Sequence, residues 1–353
     1  MKATTAATAA LLSLTLSLMA TPTQEASPVN LNQTASIMSV KVGTMARSID
    51  VQKMGLTGQG VTVAIIDTGI DSTHPDLQGA VIDEACFSAD ASCPNGTSQQ
   101  FGAGAAKDDN GHGTHIAGII AGRGKTAPEG LAPNVKIVAI KIANAAGATS
   151  TQAMLAALHF IAKSHPEVRV VNMSLGTDAS YTGVCDTASP ITAALARAGK
   201  ALRDRGVVIV AAAGNEGLTD KISAPACVTG FLSVGAVYSE KGSISANGCT
   251  DLKTAADRVA CFSNSSANLD ILAPGAGIVS ADMGGGKANR SGTSQAAAVV
   301  SGAVALLLEG APGASSRIDA ALLGTGASIT DSRNGRVTPR IDTRAALTSL
   351  QTN

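Results

Sequence analysis

Six short apolar runs, at 61–66, 137–142, 168–173, 207–213, 231–237 and 269–273, constrain this chain more than any other feature. They are β-branched and continuous rather than alternating, with Gly, Pro, Asp or Asn close by. Such runs fit strands buried on both faces, the mark of a parallel sheet covered on each side. Helical patterns fall between them. The segment 151–164 carries Met154, Leu155, Leu158 and Ile161 at helical spacing, with Ser150 or Thr149 available as N-cap. The segment 190–205 starts after Ser189 with Pro190 at its first position and stops before Gly206, a favourable start and stop. Alternating strands and helices predict right-handed crossovers and a mostly parallel α/β sheet. The apolar run 296–308 is too short for a membrane span and reads as a buried helix.

Composition narrows the function. Aromatic residues make up only 2% and Trp is absent, so the core must be built from Ala, Val, Ile and Leu. Lys+Arg and Asp+Glu both number 26, and this balance argues against a nucleic-acid partner. With 45% hydrophobic and 15% charged residues, a disordered chain is excluded. The 353 residues allow one large domain or two ordinary ones; no repeat and no second boundary is visible, so 49–350 is taken as one domain.

The N-terminus has one early charge, Lys2, then a mildly apolar stretch 9–20 and small residues. Residues 1–20 resemble a secretory signal peptide, with Ala26 as a second cleavage position, and 21–48 form a polar leader. A secreted or periplasmic protein without a stable membrane anchor is expected. Six cysteines, Cys86, Cys93, Cys185, Cys227, Cys249 and Cys261, suit disulfides in such a compartment. Fifteen pairings are possible. Closeness in sequence favours Cys86 with Cys93 and Cys249 with Cys261, leaving Cys185 with Cys227. No C-x-x-C pair suggests zinc.

In open parallel sheets, chemistry collects at the carboxyl ends of strands. Asp67 ends the first run in VAIIDTGID, Asn215 follows the fourth in VVIVAAAGNEG, and His112 opens a helix in DDNGHGTHIAGIIAG. Ser294, in RSGTSQAAA, stands at the start of an apolar helix, where backbone N–H groups favour negative charge. A nucleophile, a base, a carboxylate to orient the base and a donor for the oxyanion are the four parts of serine-dependent peptide hydrolysis. Each part alone is a common turn or cap. No G-x-G-x-x-G follows the first strand, against a dinucleotide site.

With their flanks, these strings resemble the subtilisin-like serine proteases (subtilases, peptidase family S8). VAIIDTGIDSTHPDL, NGHGTHIAGIIAG, VVNMSLG, AAAGNEG, LAPG and SGTSQAAAVVSG carry the resemblance, in the order Asp, His, Ser. It covers about residues 50–350, and PRIDTRAAL looks like the family's final helix. It implies a three-layer fold with helices on both faces of the sheet, and an exported serine endopeptidase without a cofactor or catalytic metal. Ser294 would be the nucleophile, His112 the general base and then acid, Asp67 the group orienting the imidazole, and Asn215 the oxyanion donor. Ser174, Leu175 and Gly176 would pair with one side of an extended protein or peptide substrate, and the stretch near Gly147 with the other. Ala212, Ala213 and Gly214 would line the first specificity pocket, with Ser223 or Ala224 at its base. Since none is charged, a neutral or apolar residue before the scissile bond is expected, and the enzyme is expected to be a monomer.

The match departs from the family in places. Gln295 follows Ser294, and Ala298 and Val299 stand where Pro and often His occur. Only 28 residues separate Ala20 from Ile49, too few for the family's usual pro-domain. The stretch between Asp67 and His112 is long and holds Cys86 and Cys93, which suggests a stapled surface loop. Asp76 matches a calcium ligand of relatives, but Arg123 and Lys125 occupy the loop beside it, so no calcium is expected there. His115 is expected to be structural.

Overall fold

The structure, a computed structural model, describes residues 42–352. The expected signal peptide and most of the leader lie outside the described residues. A ten-stranded sheet runs through the molecule in the order Ala327–Thr330, Val337–Arg340, Ile271–Pro274, Phe231–Val237, Val208–Ala212, Val168–Met173, Thr62–Asp67, Lys136–Lys141, Val81–Phe87, Gln99–Phe101. Its inner pairings are parallel; only the outermost pairing at each edge is antiparallel.

Alternate residues of the central strands feed two cores. Val63 and Ile65 point into one, Ala64 and Ile66 into the other, as the two-residue period of a pleated strand requires. On the first face lie the helices His112–Ala121, Thr293–Gly310 and Thr343–Thr352; on the second lie Thr151–Ser164 and Pro190–Arg203. This is the three-layer α/β arrangement. Ser150 caps its helix by accepting from the Ala153 N–H, and Ser189 with Thr192 forms a full capping box ahead of Pro190. The helix Thr293–Gly310 is apolar and long enough to cross a membrane, the single such helix among the described residues, yet it is sunk in the core. It forms with Ala298 and Val299 in place of Pro and His.

Three disulfides join Cys86 to Cys93, Cys185 to Cys227 and Cys249 to Cys261, the pairing that sequence proximity favours. Near the ends of the described chain, Val42 and Ala46 are buried in the first core, and Thr343 donates its N–H and its hydroxyl to the Ala46 carbonyl at 2.9 and 2.8 Å. The Asp76 carboxylate accepts the N–H groups of Lys125, Thr126 and Ala127 and the Thr126 hydroxyl. Burial opposes its charge, but these donors outweigh burial and hold its pKa below the ordinary carboxylate value. Its oxygens are thus committed to donors from the protein.

Candidate active site

Parallel strands end on one side of the sheet, and there a cavity of about 350 Å³ opens. Asp67 stands at the end of its strand, buried, next to Lys141 on the neighbouring strand. His112 is the first residue of its helix, entered through Gly111, whose φ of 91° is a left-handed conformation that glycine adopts at little cost. The His112 Nδ1 lies 2.7 Å from Asp67 Oδ1, which also accepts the Thr68 N–H at 2.7 Å. Burial disfavours a charged imidazole, but attraction and hydrogen bonding to Asp67 outweigh it, so the His112 pKa is raised.

Asp108, which sequence reasoning passed over, holds this helix entry. Its Oδ1 accepts from the Thr68 hydroxyl and the N–H groups of Asn110 and Gly111, and its Oδ2 from the N–H and hydroxyl of Thr114. Thr68 Oγ1 in turn accepts the Gly113 N–H at 2.9 Å. The strand end bearing Asp67 and the turn bearing His112 are therefore one hydrogen-bonded unit. The signal for Asp108 was in the sequence: an acidic pair just upstream of a helix start, where a carboxylate meets unpaired N–H groups.

Ser294 sits in the first turn of Thr293–Gly310 and is 8% exposed. Its hydroxyl donates to the Ser174 carbonyl at 3.0 Å, while the Ser174 hydroxyl donates to the Ser294 carbonyl at 2.9 Å. The Asn215 Oδ1 accepts the Thr293 N–H at 2.8 Å and the Thr293 hydroxyl at 3.0 Å. With its oxygen fixed, the amide Nδ2 is the half left to serve the cavity. A side chain on Gly292 would come within 3.5 Å of that nitrogen and occupy the space beside it.

Asp67, His112, Asn215 and Ser294 all line the cavity, as do Ser174, Leu175, Gly176, Ala212, Gly214, Gly147 and Ser223. Ala213 does not: the pleat turns it to the opposite face, into the second core, with its carbonyl accepting from Ser223 and Asn264. Nor is the lining free of charge. Glu216 and Arg290 contribute to it. The Glu216 Oε2 accepts from Asn264 Nδ2 at 2.5 Å, and Arg290 pairs with Asp282 at 3.0 Å. These charges join Asp67 and Asp178 in the lining of the cleft as a whole. Glu216 follows Asn215 directly, between Gly214 and Gly217, whose φ values are 105° and 69°. His115 is fully buried, its Nε2 shared between the Ile278 and Ala288 carbonyls at 3.2 Å each. Burial lowers its pKa to about 4. It ties the helix to a hairpin as a neutral ring.

Comparison with known proteins identifies the family and the fold. The subtilase family's sequence model matches residues 58–341. An alkaline protease of Alkalihalobacillus alcalophilus is 35% identical over 283 residues, 77% of this chain; the chain spans 63% of that protein's length. Subtilisin Savinase of Lederbergia lenta is 36% identical over 259 residues, covering 73% of this chain and 80% of that one. A crystal structure of a cold adapted subtilisin-like serine proteinase aligns with a TM-score of 0.63 at 27% identity, covering 82% of this chain and 90% of the other. Motif order, sheet topology and these similarities converge: the chain belongs to the subtilase family.

Proposed function

We propose that this protein is a serine endopeptidase that hydrolyses peptide bonds of extended protein substrates. The observation carrying the proposal is the 2.7 Å Asp67–His112 contact at a cavity that Ser294 and Asn215 also line. In this reading the Ser294 hydroxyl leaves the Ser174 carbonyl and turns to His112 Nε2. His112 takes its proton as Ser294 Oγ attacks the substrate carbonyl. Asp67 holds the Nδ1–H tautomer and stabilises the imidazolium without taking its proton. The oxyanion is received by the Ser294 backbone N–H, unpaired at a helix start, and by Asn215 Nδ2. His112 then protonates the leaving amine, and water repeats the sequence on the acyl-enzyme, returning the Ser294 proton.

The substrate backbone would add as a strand between 174–176 and the turn near Gly147. Ala212 and Gly214 give the first pocket a small apolar floor beside Ser223. A Cβ on Gly214 would collide with Asn264 and come within 2.6 Å of Ser223 Oγ, so a side chain there would have to displace the wall of the pocket. The Glu216 carboxylate in the cavity lining supports acceptance of basic as well as neutral side chains. The proposal extends to a single catalytic domain over 49–350, acting as a monomer after export; three disulfides support an oxidising compartment.

A fluorophosphonate probe tests the chemistry. Labelling is expected at Ser294 of the folded protein, and is expected to vanish in His112→Ala and Ser294→Ala. A folded protein that neither labels nor cleaves denatured protein would make this a subtilase fold kept as a scaffold.

A further inference from the structure

The loop between Val81–Phe87 and Gln99–Phe101 takes no part in the chemistry above. It is closed on itself by the Cys86–Cys93 bond. Its tip nonetheless reaches the turn 144–148 beside the substrate cleft. Asp90 Oδ2 accepts from Asn144 Nδ2 at 2.8 Å, and Asp90 Oδ1 accepts the Ser88 hydroxyl. Ser88 Oγ also accepts the Ser92 N–H at 2.9 Å, so the carboxylate is presented by an ordered loop.

Asn144 is the organising residue of the turn it receives. Its Oδ1 accepts the N–H groups of Ala146 and Ala148 at 3.1 and 3.0 Å. Its backbone closes the turn, accepting from Gly147 at 2.8 Å and donating to Ala148 at 2.9 Å. Ala143, Gly147 and Thr149 of this turn line the cavity. The turn tip is exposed and has few apolar contacts of its own, so it depends on polar braces for order. One brace comes from the His112 side, where Asn110 Nδ2 donates to the Ala145 carbonyl at 3.0 Å. The other is Asp90. Hydrogen bonds from Ser88, then Ser92 and Asn144, hold the Asp90 pKa well below the ordinary carboxylate value, so this brace stays charged at neutral pH.

We propose that Asp90, presented by the Cys86–Cys93 loop, is a positioning residue for the 143–149 edge of the cleft, setting affinity for the part of an extended substrate that lies beyond the first pocket. The proposal rests on the protease reading. It separates binding from chemistry, because Asp90 touches neither Ser294 nor His112.

The test compares a single-residue ester, which occupies only the first pocket, with a long peptide amide. Asp90→Ala is expected to raise KM for the long peptide by about two- to tenfold, the scale of one lost hydrogen bond. It should leave kcat on both substrates, and KM for the ester, unchanged. Asp90→Asn, which keeps an acceptor for Asn144, should restore part of the loss. The double change Cys86→Ser with Cys93→Ser should reproduce the same split, because it frees the loop without touching the carboxylate. Equal effects on both substrates, a fall in kcat, or no effect on either would overturn the proposal. An unmutated protein inactive on both substrates would instead sink the protease reading, and this proposal with it.

Discussion

The contact between His112 and Asp67 sets how activity should depend on pH. Only a neutral imidazole can accept the Ser294 proton, and the neighbouring carboxylate raises the His112 pKa. Activity should therefore rise with pH through a midpoint above about 6.5, the ordinary histidine value. A kcat/KM profile that is flat from acid to neutral pH would contradict this. The stability term runs the other way. A raised imidazole pKa adds stability that is full below the unfolded value and is lost as pH rises through the folded value. Asp67→Asn should move the midpoint down and cut kcat by roughly 10⁴, because the imidazole then adopts the wrong tautomer. Asn215→Ala should cost roughly 10²–10³ in kcat, a magnitude measured in a member of this family, with KM little changed. These four side chains were legible in sequence because each ends a strand or opens a helix inside a distinctive string. Arg290 was not. It enters the cavity at the end of the hairpin Ile278–Asp282/Gly286–Arg290, and only the folded path shows where such a turn brings a charge.

Between elements, one close fit near the site is the His112–Ala121 helix on that same hairpin. Gly118 makes it possible: a Cβ there would overlap Ser280 Oγ and lie 2.8 Å from Ala281 Cβ and from the Ala281 backbone nitrogen. Replacing a helical glycine with alanine ordinarily gains up to about 1 kcal/mol. Overpacking costs about 1–3 kcal/mol, and here it presses on backbone that cannot swing aside. The collision should win, so Gly118→Ala should lower the denaturation midpoint, and an unchanged or raised midpoint would show that the hairpin yields. The buried strands were legible to within two residues, because a strand covered on both faces must be a continuous apolar run. The outer strands were not. Val81–Phe87, one place in from its edge, carries Asp83 and Glu84, and Val337–Arg340, one place in from the other, carries Pro339. Toward the margins of the sheet, strands are less completely covered and tolerate polar residues and proline, so no apolar run announces them.

For the molecule as a whole, covalent ties supplement a core almost without aromatic bulk. Large aromatic side chains dominate the energetics of many cores, and this chain has five Phe, two Tyr and no Trp. The three disulfides do not contribute equally. Cross-linking stabilises chiefly by restricting the unfolded chain, and the effect grows with the logarithm of the loop closed. The bridges close loops with sequence separations of 7, 42 and 12 residues. Chain entropy then assigns about 2 kcal/mol to Cys86–Cys93, about 3 to Cys249–Cys261 and about 4 to Cys185–Cys227. The long bridge also reinforces a hydrogen-bonded junction: the Cys185 N–H donates to the Cys227 carbonyl at 3.0 Å, Asp186 accepts the Thr229 N–H, and the short strand pair Ser180–Tyr181 with Ile222–Ser223 lies nearby, with Ser223 lining the cavity. Replacing Cys185 and Cys227 together by Ser should therefore lower unfolding stability most, measured by denaturant titration under oxidising conditions. It should also raise KM for the single-residue ester, because Ser223 lines the pocket that substrate uses. The Cys86 and Cys93 pair should show the reverse pattern, a small stability loss with the ester unaffected. If the two variants lost equal stability, or if both left the ester untouched, loop entropy and pocket support would fail together as the account of why the long bridge matters.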